Sequence, residues 1–214
     1  MKSLFSKKRE MPLALDHMSF EIETGDSLAL IGLNGSGKST LLRAMAGILL
    51  PDSGTLEING DTVALFSLGI GMRMDSTGRD NIILQGMVHG HTEAEMERLI
   101  PEIIAFSELG EVINDPLHTY SQGMGVRLSF AVATALRPDI LLLDEWIGAG
   151  DRVFRDKAQK RLESMVSDAR GLVLASHNVH IVRKYCNKAL WISKGKIIAS
   201  GDVEEVLEAF ESGT

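Results

Sequence analysis

The chain has 214 residues, 44% of them hydrophobic and 24% charged, with a net charge of -7. That balance suits one globular unit with a sizeable core, and the acidic excess argues against a general nucleic-acid binder, which carries a basic face. No apolar run approaches the roughly 20 residues of a membrane-spanning helix. Lys2, Lys7, Lys8 and Arg9 have no apolar stretch behind them, so the start does not read as a secretory signal. Those cations suit either a solvated terminus or contact with anionic lipid head groups. Any membrane role is therefore expected to run through a partner. The single cysteine, Cys186, fits a reducing compartment and reads as a packed small hydrophobe, since no ligand or catalytic pattern surrounds it.

Strand patterns come first. Ser19-Phe20-Glu21-Ile22 alternates, and Ser27-Leu28-Ala29-Leu30-Ile31 reads as a buried strand. Residues 39–49 read as a helix ended by Pro51 and the Asp52-Ser53-Gly54 turn. Residues 55–58 and 62–66 flank Asn59-Gly60, a hairpin signal. From about 68 to 135 the period becomes helical. Thr92-Glu93-Ala94-Glu95 is a capping box, followed by Met96, Leu99, Ile100, Ile103 and Ile104 on one face. Pro101 predicts a kink there or a second helix starting there. Residues 121–136 form another predicted helix, stopped by Arg137-Pro138. Strand patterns return at 140–143, 172–175, 189–192 and 196–200, and residues 203–210 close the chain as an amphipathic helix. The pattern is an α/β core interrupted by a helical insertion, in one folding unit.

Gly32-Leu33-Asn34-Gly35-Ser36-Gly37-Lys38-Ser39 matches G-x-x-x-x-G-K-[ST] between a buried strand and a helix start. Glycines let the loop curl so that successive N–H groups face phosphate oxygens, and the helix N-terminus adds positive potential. Lys38 is expected to neutralise the β and γ phosphates and Ser39 to hold Mg²⁺, with Thr40 completing the loop's nucleotide contacts. A glycine-rich connector without a ligand is the bland alternative, and the flanking strand and helix argue against it.

Such a loop needs an acidic partner for the metal. Ile140-Leu141-Leu142-Leu143-Asp144-Glu145 is an apolar strand ending in adjacent carboxylates. Asp144 suits Mg²⁺, directly or through water, and Glu145 suits the polarisation of an attacking water. His177, just after the strand at 172–175, suits a hydrogen bond to the γ-phosphate. His89, His91 and His118 lack such a context and read as surface residues.

These residues resemble the nucleotide-binding subunits of ABC transporters over almost the whole chain. Tyr120-Ser121-Gln122-Gly123-Met124 looks like a degenerate form of the family's L-S-G-G-Q signature, with Ser121 and Gly123 retained and Gln122 in place of the first glycine. Ala149-Gly150-Asp151 falls where the family's D-loop ends, and His177 matches its switch histidine. The resemblance implies an α/β P-loop NTPase with a RecA-like core, an N-terminal antiparallel β subdomain and a helical insertion at about 68–135, all in a single domain spanning 1–214. It also implies a homodimer in which Ser121, Gly123 and Asp151 of one copy complete the ATP pocket of the other. The helix beginning near Ser121 has the means: free N–H groups and a macrodipole directed at anionic charge. A simple helix cap at a turn is the other reading of Ser121.

Leu68-Gly69-Ile70-Gly71, Thr77-Gly78-Arg79-Asp80-Asn81-Ile82, Asp144-Glu145-Trp146 and Ala175-Ser176-His177-Asn178 narrow the resemblance to the bacterial exporters of surface polysaccharides such as O-antigen, teichoic acid and capsule. This narrower resemblance implies an ATP- and Mg²⁺-dependent ATPase, peripheral at the cytoplasmic face of the plasma membrane, driving transmembrane permease subunits. The family's usual loop glutamine is missing: Ser67 stands there, and Gln85 lies too far along, on an expected helix. Phe5 is the candidate aromatic for stacking on adenine, a frayed terminal Phe being the alternative; base stacking is worth about 1–3 kcal/mol. With the last residue at Thr214, no C-terminal carbohydrate-binding domain is expected. The apolar, Gly- and Met-rich stretch at 68–74, within 68–91, is the expected docking surface for the membrane partner. The competing readings are an ABC ATPase for another cargo, a soluble ATPase acting on DNA or ribosomes, and a regulatory dimer that binds ATP without turnover. The second lacks its usual coiled coils, zinc modules or tandem cassettes.

Overall fold

Short apolar runs separated by turn residues assemble into a six-stranded sheet with helices on both faces. The computed structural model describes residues 13–69, 71–145 and 152–213. In chain order the elements are β1 (Ser27–Ile31), α1 (Lys38–Met45), β2 (Thr62–Ala64), α2 (Gly78–Val88), α3 (Glu93–Ser107), α4 (Gln122–Ala135), β3 (Ile140–Asp144), α5 (Arg152–Asp168), β4 (Gly171–Ala175), α6 (Val179–Tyr185), β5 (Lys188–Ser193), β6 (Lys196–Asp202) and α7 (Val203–Gly213). The sheet order is β2-β3-β4-β1-β5-β6, with the first five strands parallel and β6 antiparallel to β5.

Strands β1, β3 and β4 are buried on both faces, which is why they read as near-continuous apolar runs. Their alternate residues feed two cores. Leu28, Leu30, Leu142, Val173 and Ala175 pack with Leu41, Leu42 and Met45 of α1. Ala29, Ile31, Leu141, Leu143, Leu172 and Leu174 share the larger core with helices α3, α4, α5 and α7. Phe106 of α3, Phe130 of α4 and Phe154 of α5 meet in that core, with ring centroids 5.7 to 6.1 Å apart. Lys157 and Arg161 of α5 lie over the Phe106 ring at 4.8 Å, and Lys157 also reaches Glu108 at 2.7 Å.

Several local expectations are corrected. The predicted hairpin across Asn59-Gly60 does not form, because residues 62–64 join β3 in parallel as β2. The cause is Gly60, whose backbone passes so close to Asp139 that a Cβ there would lie 2.9 Å from that side chain. Asp61 then donates to the Asp139 carboxylate and accepts from the Ile140 amide, which sends the chain along β3. Residues 19–22 and 55–58 carry no strand, so the N-terminal antiparallel β subdomain has no counterpart among the described residues. The first helix ends at Met45, well before Pro51. Gly47, at φ 69°, closes it with a Schellman pair, Ile48 N–H to Arg43 C=O and Gly47 N–H to Ala44 C=O, both 2.9 Å. No second helix starts at Pro101, since α3 runs through it. The proline sits on the exposed side, where the freed carbonyl of Glu97 faces water, while Met96, Ile100, Ile103 and Phe106 hold the buried side.

Cys186 is buried, and burial pushes its thiol up to about 12, in keeping with a packed hydrophobe. Phe154, buried at the junction of α3, α4 and α5, gives the fold its most direct test. Phe154→Ala is expected to lower unfolding stability by about 3–5 kcal/mol, read as a shift of the denaturant midpoint.

Candidate active site

Three parallel strands end side by side. Ala175 at the end of β4 pairs with Leu30 of β1 on one side and with Asp144 of β3 on the other. That row brings together the loop after β1, the carboxylates ending β3 and the Ser176-His177 exit of β4. Ligands of open α/β sheets bind at this carboxyl edge.

The loop from Gly32 to Lys38 is a cradle that only glycine permits. Gly32, Gly35 and Gly37 have φ of 147°, 77° and 117°. A Cβ on Gly32 would lie 2.2 Å from the Ile192 carbonyl, and one on Gly37 would lie 2.9 Å from the Ala14 carbonyl. The loop is braced from outside by the β5–β6 turn, where Gly195 N–H donates to Ser36 C=O at 2.8 Å. Helix α1 has no side-chain N-cap and no acidic residue in its first turn, so its amides face the cradle uncompensated. Ser36 Oγ is buried with no hydrogen-bond partner among the described residues. Bare amides and an orphaned hydroxyl fit a polyphosphate.

Lys38 folds over this loop, donating to Gly32 C=O at 2.8 Å and Leu33 C=O at 3.1 Å. Burial pulls its pKa down, and the nearby charges of Asp144 and Glu145 act in the opposite direction. Lys38, Asp144 and Glu145 are therefore electrostatic neighbours. Glu145 stands in the left-handed region at φ 67°, where its N–H donates to Ala175 C=O at 2.8 Å. Its Oε1 accepts from His177 Nδ1 at 2.7 Å and from the His177 amide at 3.3 Å, and Ser176 Oγ donates to Oε2 at 3.1 Å. With Glu145 ionised, the Nδ1 nitrogen of His177 carries the proton. Ser39 lies in the first turn of α1 and Asp144 ends β3 opposite Ala175; hydroxyl and carboxylate oxygens are donor types that Mg²⁺ accepts beside phosphate oxygens and waters.

Ser121 and Gly123 stand apart from this cluster. Ser121 caps α4, its hydroxyl accepting from the Met124 amide at 3.3 Å, and α4 packs on α2, α3 and α5. Nothing lies within 4 Å of a Cβ built on Gly123 or Gly125, so the first turn of α4 presents open backbone. Gln85 is buried within α2. Phe5, Asp151 and residues 146–150 lie outside the described residues.

Two residues were missed by sequence reasoning, Ser176 and Asn178. Asn178 caps α6, its Oδ1 accepting from the amides of His180 and Ile181, and its own amide donates to Ser176 Oγ. The signal was there in the Ser-His-Asn string between a strand and a helix, a pattern of side-chain caps.

The sheet order and the phosphate cradle define a P-loop nucleoside triphosphatase fold. A family model described as ABC transporter matches residues 15–148. The chain is 45% identical over 184 residues to an O-antigen export system ATP-binding protein of Yersinia enterocolitica, covering 86% of this chain and 77% of that one. The chain belongs to the ABC transporter family. It is also 37% identical over 213 residues to a teichoic acids export ATP-binding protein of Bacillus anthracis, covering 99% of this chain and 39% of that one. An O-antigen export system ATP-binding protein of Myxococcus xanthus is 43% identical over 201 residues, covering 94% and 46%. The chain thus spans less than half the length of these two relatives. Among solved structures, an ATP-binding subunit of an ABC transporter superposes with TM-score 0.74 at 24% identity, over 92% of this chain and 87% of that one. A dimeric ATP-binding cassette in a post-hydrolysis state with ADP and Pi gives 0.70 at 20% identity, over 93% and 94%.

Because Gly32 abuts a backbone carbonyl that cannot give way, Gly32→Ala must distort the cradle. Affinity for a fluorescent ATP analogue is expected to fall by about tenfold or more, the equivalent of roughly 1.4 kcal/mol of misplacement, in an equilibrium titration.

Proposed function

We propose that this chain is the ATP-hydrolysing subunit of a bacterial exporter of surface polysaccharide, acting as a pair of copies that close face to face around ATP and drive transmembrane partner subunits. The observation that carries the reading is the row of Leu30, Ala175 and Asp144 at the sheet edge, from which the cradle, the Asp144-Glu145 pair and Ser176-His177 emerge together, with Glu145 hydrogen-bonded to His177.

The chemistry rests on these groups. The cradle amides and Lys38 hold the triphosphate, and Lys38 offsets charge between its β and γ phosphates. Glu145 accepts a proton from water as the water oxygen bonds the γ-phosphorus and the bond to the ADP oxygen breaks. With Nδ1–H given to Glu145, His177 meets a γ-phosphate oxygen only as the imidazolium, whose Nε2–H donates to it. Ser39 and Asp144 would hold Mg²⁺, which would supply neutralisation of phosphate charge. The open first turn of α4 in the second copy, with Ser121 and Gly123, closes over the same γ-phosphate, and Asp151 belongs to that interface. Phe5 is the proposed stacking partner of adenine.

Export of polysaccharide rests on relatives named for teichoic acid and O-antigen export. No helix among the described residues is long and apolar enough to cross a membrane, and the chain is proposed to sit at the cytoplasmic face through its partners. Their docking surface is assigned to residues 68–91. Met74, Met87 and Val88 are exposed there, and Asn81, wholly buried, ties residues 73–77 together by donating to the carbonyls of Arg73, Ser76 and Thr77. A second reading, a dimer that binds ATP without turnover, draws on one observation: the loop directly after β2 has Ser67 and no glutamine, Gln85 being buried farther along in α2.

Phosphate release separates the readings. Glu145→Gln is expected to slow it about 10²- to 10⁴-fold while ATP still binds, and Ser121→Phe to slow it by blocking the partner's pocket. A Glu145→Gln rate equal to wild type would remove Glu145 from its role. For docking, Met87→Glu with Val88→Glu is expected to abolish co-purification with the permease at unaltered nucleotide affinity. Undiminished pull-down would overturn that surface.

A further inference from the structure

We propose that Ser176 is a positioning residue for Glu145, its buried hydroxyl fixing the carboxylate in the orientation from which it takes a proton from water. This rests on the reading of Glu145 as the general base.

Ser176 is 1% exposed, whereas the side chains of Glu145 and His177 are 44% and 82% exposed. The contact between those two is therefore made by solvated groups, and Ser176 is the buried one beside them. A hydroxyl has one proton to give. Among the described residues, Ser176 Oγ has two hydrogen-bond partners: the Asn178 amide, which is itself a donor, and Glu145 Oε2 at 3.1 Å. The Asn178 amide occupies a lone pair at 3.1 Å, so the proton is directed to Glu145.

Ser176 is in turn held on both sides. Its amide donates to Leu30 C=O of β1, the strand that feeds the phosphate cradle, and Asn178 is locked into the cap of α6. A short side chain on so constrained a backbone has little freedom, and its position is tied to the cradle through β1. The carboxylate it holds belongs to a residue in the left-handed region, a conformation that persists only where surroundings over-determine it. Ser176 is one of those determinants.

The arrangement also selects the reacting oxygen. Oε1 receives both His177 contacts, while among the described residues Oε2 receives only the Ser176 hydroxyl and keeps a lone pair for water. The water proton passes to Oε2 as its oxygen bonds the γ-phosphorus and ADP departs. Without the Ser176 proton the carboxyl rotates about the Glu145 side chain and that lone pair is no longer directed.

The test uses the purified full chain and phosphate release measured across ATP concentrations. Ser176→Ala is expected to lower kcat about ten- to a hundredfold with KM for ATP unchanged. Ser176→Cys, close in volume and a weaker donor, guards against misfolding and should lower kcat in the same direction at the wild-type melting temperature. In a Glu145→Gln background, adding Ser176→Ala should change the residual rate less than about twofold, because the residue acts through that carboxylate. A wild-type kcat in Ser176→Ala, a rise in KM alone, or the same fold-loss in both backgrounds overturns the assignment. A wild-type rate in Glu145→Gln alone instead removes the base reading beneath it, so the two failures are told apart.

Discussion

Ala175 is bonded into two ladders at once, and the register of those ladders determines the relation of every group in the site. Because Leu30, Ala175 and Asp144 form one row, the loop after β1, the carboxylates after β3 and the histidine after β4 emerge at the same height. A slip of one residue in either ladder would turn each strand's side chains to the opposite face. That slip is blocked by burial. Leu141 and Leu143 belong to one core and Leu142 to the other, so exchanging faces would disturb both at once. The precision of the site is thus derived from apolar packing well below it.

Above that row the backbone is forced into conformations that cost free energy. Gly32 and Gly37 turn where a side chain would meet a carbonyl, and Glu145, a non-glycine residue, adopts φ 67°. A left-handed non-glycine residue costs of order 1–3 kcal/mol. The offset comes from close neighbours: the Ala175 carbonyl takes the Glu145 amide, and three donors converge on its carboxylate. The cradle is secured similarly. Gly195 donates to Ser36 C=O while accepting from the Asp16 amide at 2.7 Å, and the Asp16 carboxylate meets Lys196 at 3.0 Å. The loop is clamped between the β5–β6 turn and the segment around Asp16.

Periodicity served well where one strong signal acted alone. The strands at 27–31, 140–143 and 172–175 announced themselves by continuous apolar runs, and the Thr92 box opened α3 as its letters require. Local letters failed where a distant contact decided the outcome. Asn59-Gly60 carries hairpin chemistry, yet Asp139, remote in sequence, draws the chain into a parallel ladder. Pro101 carries breaker chemistry, yet a buried face on the other side of α3 keeps the helix running. In the candidate site, the placement of Asp144, Glu145 and His177 at strand ends was readable because their spacing matches strands and turns. Ser176 was not. Its contribution depends on which of two neighbours is a donor, and that is a property of three-dimensional proximity alone.

The helix N-termini reveal how a chain of net charge -7 makes room for a highly charged anion. Helices α2 and α3 begin with complete capping boxes and acidic residues in their first turns: the Thr77 and Thr92 hydroxyls accept from the amides of Asp80 and Glu95, whose carboxylates accept from the amides of Thr77 and Thr92 in return. Helices α1, α4, α5 and α6 have no acid in the first turn; among them α6 has two amides capped by Asn178, α4 has one capped by the Ser121 hydroxyl, and α1 has no side-chain cap. The positive ends of α1 and α4 are left largely uncompensated. Lys38 opens α1, while α4 is fastened to α3 and α5 through Phe106, Phe130 and Phe154. The proposed closure of two copies face to face would give the open first turn of α4 an anion to meet.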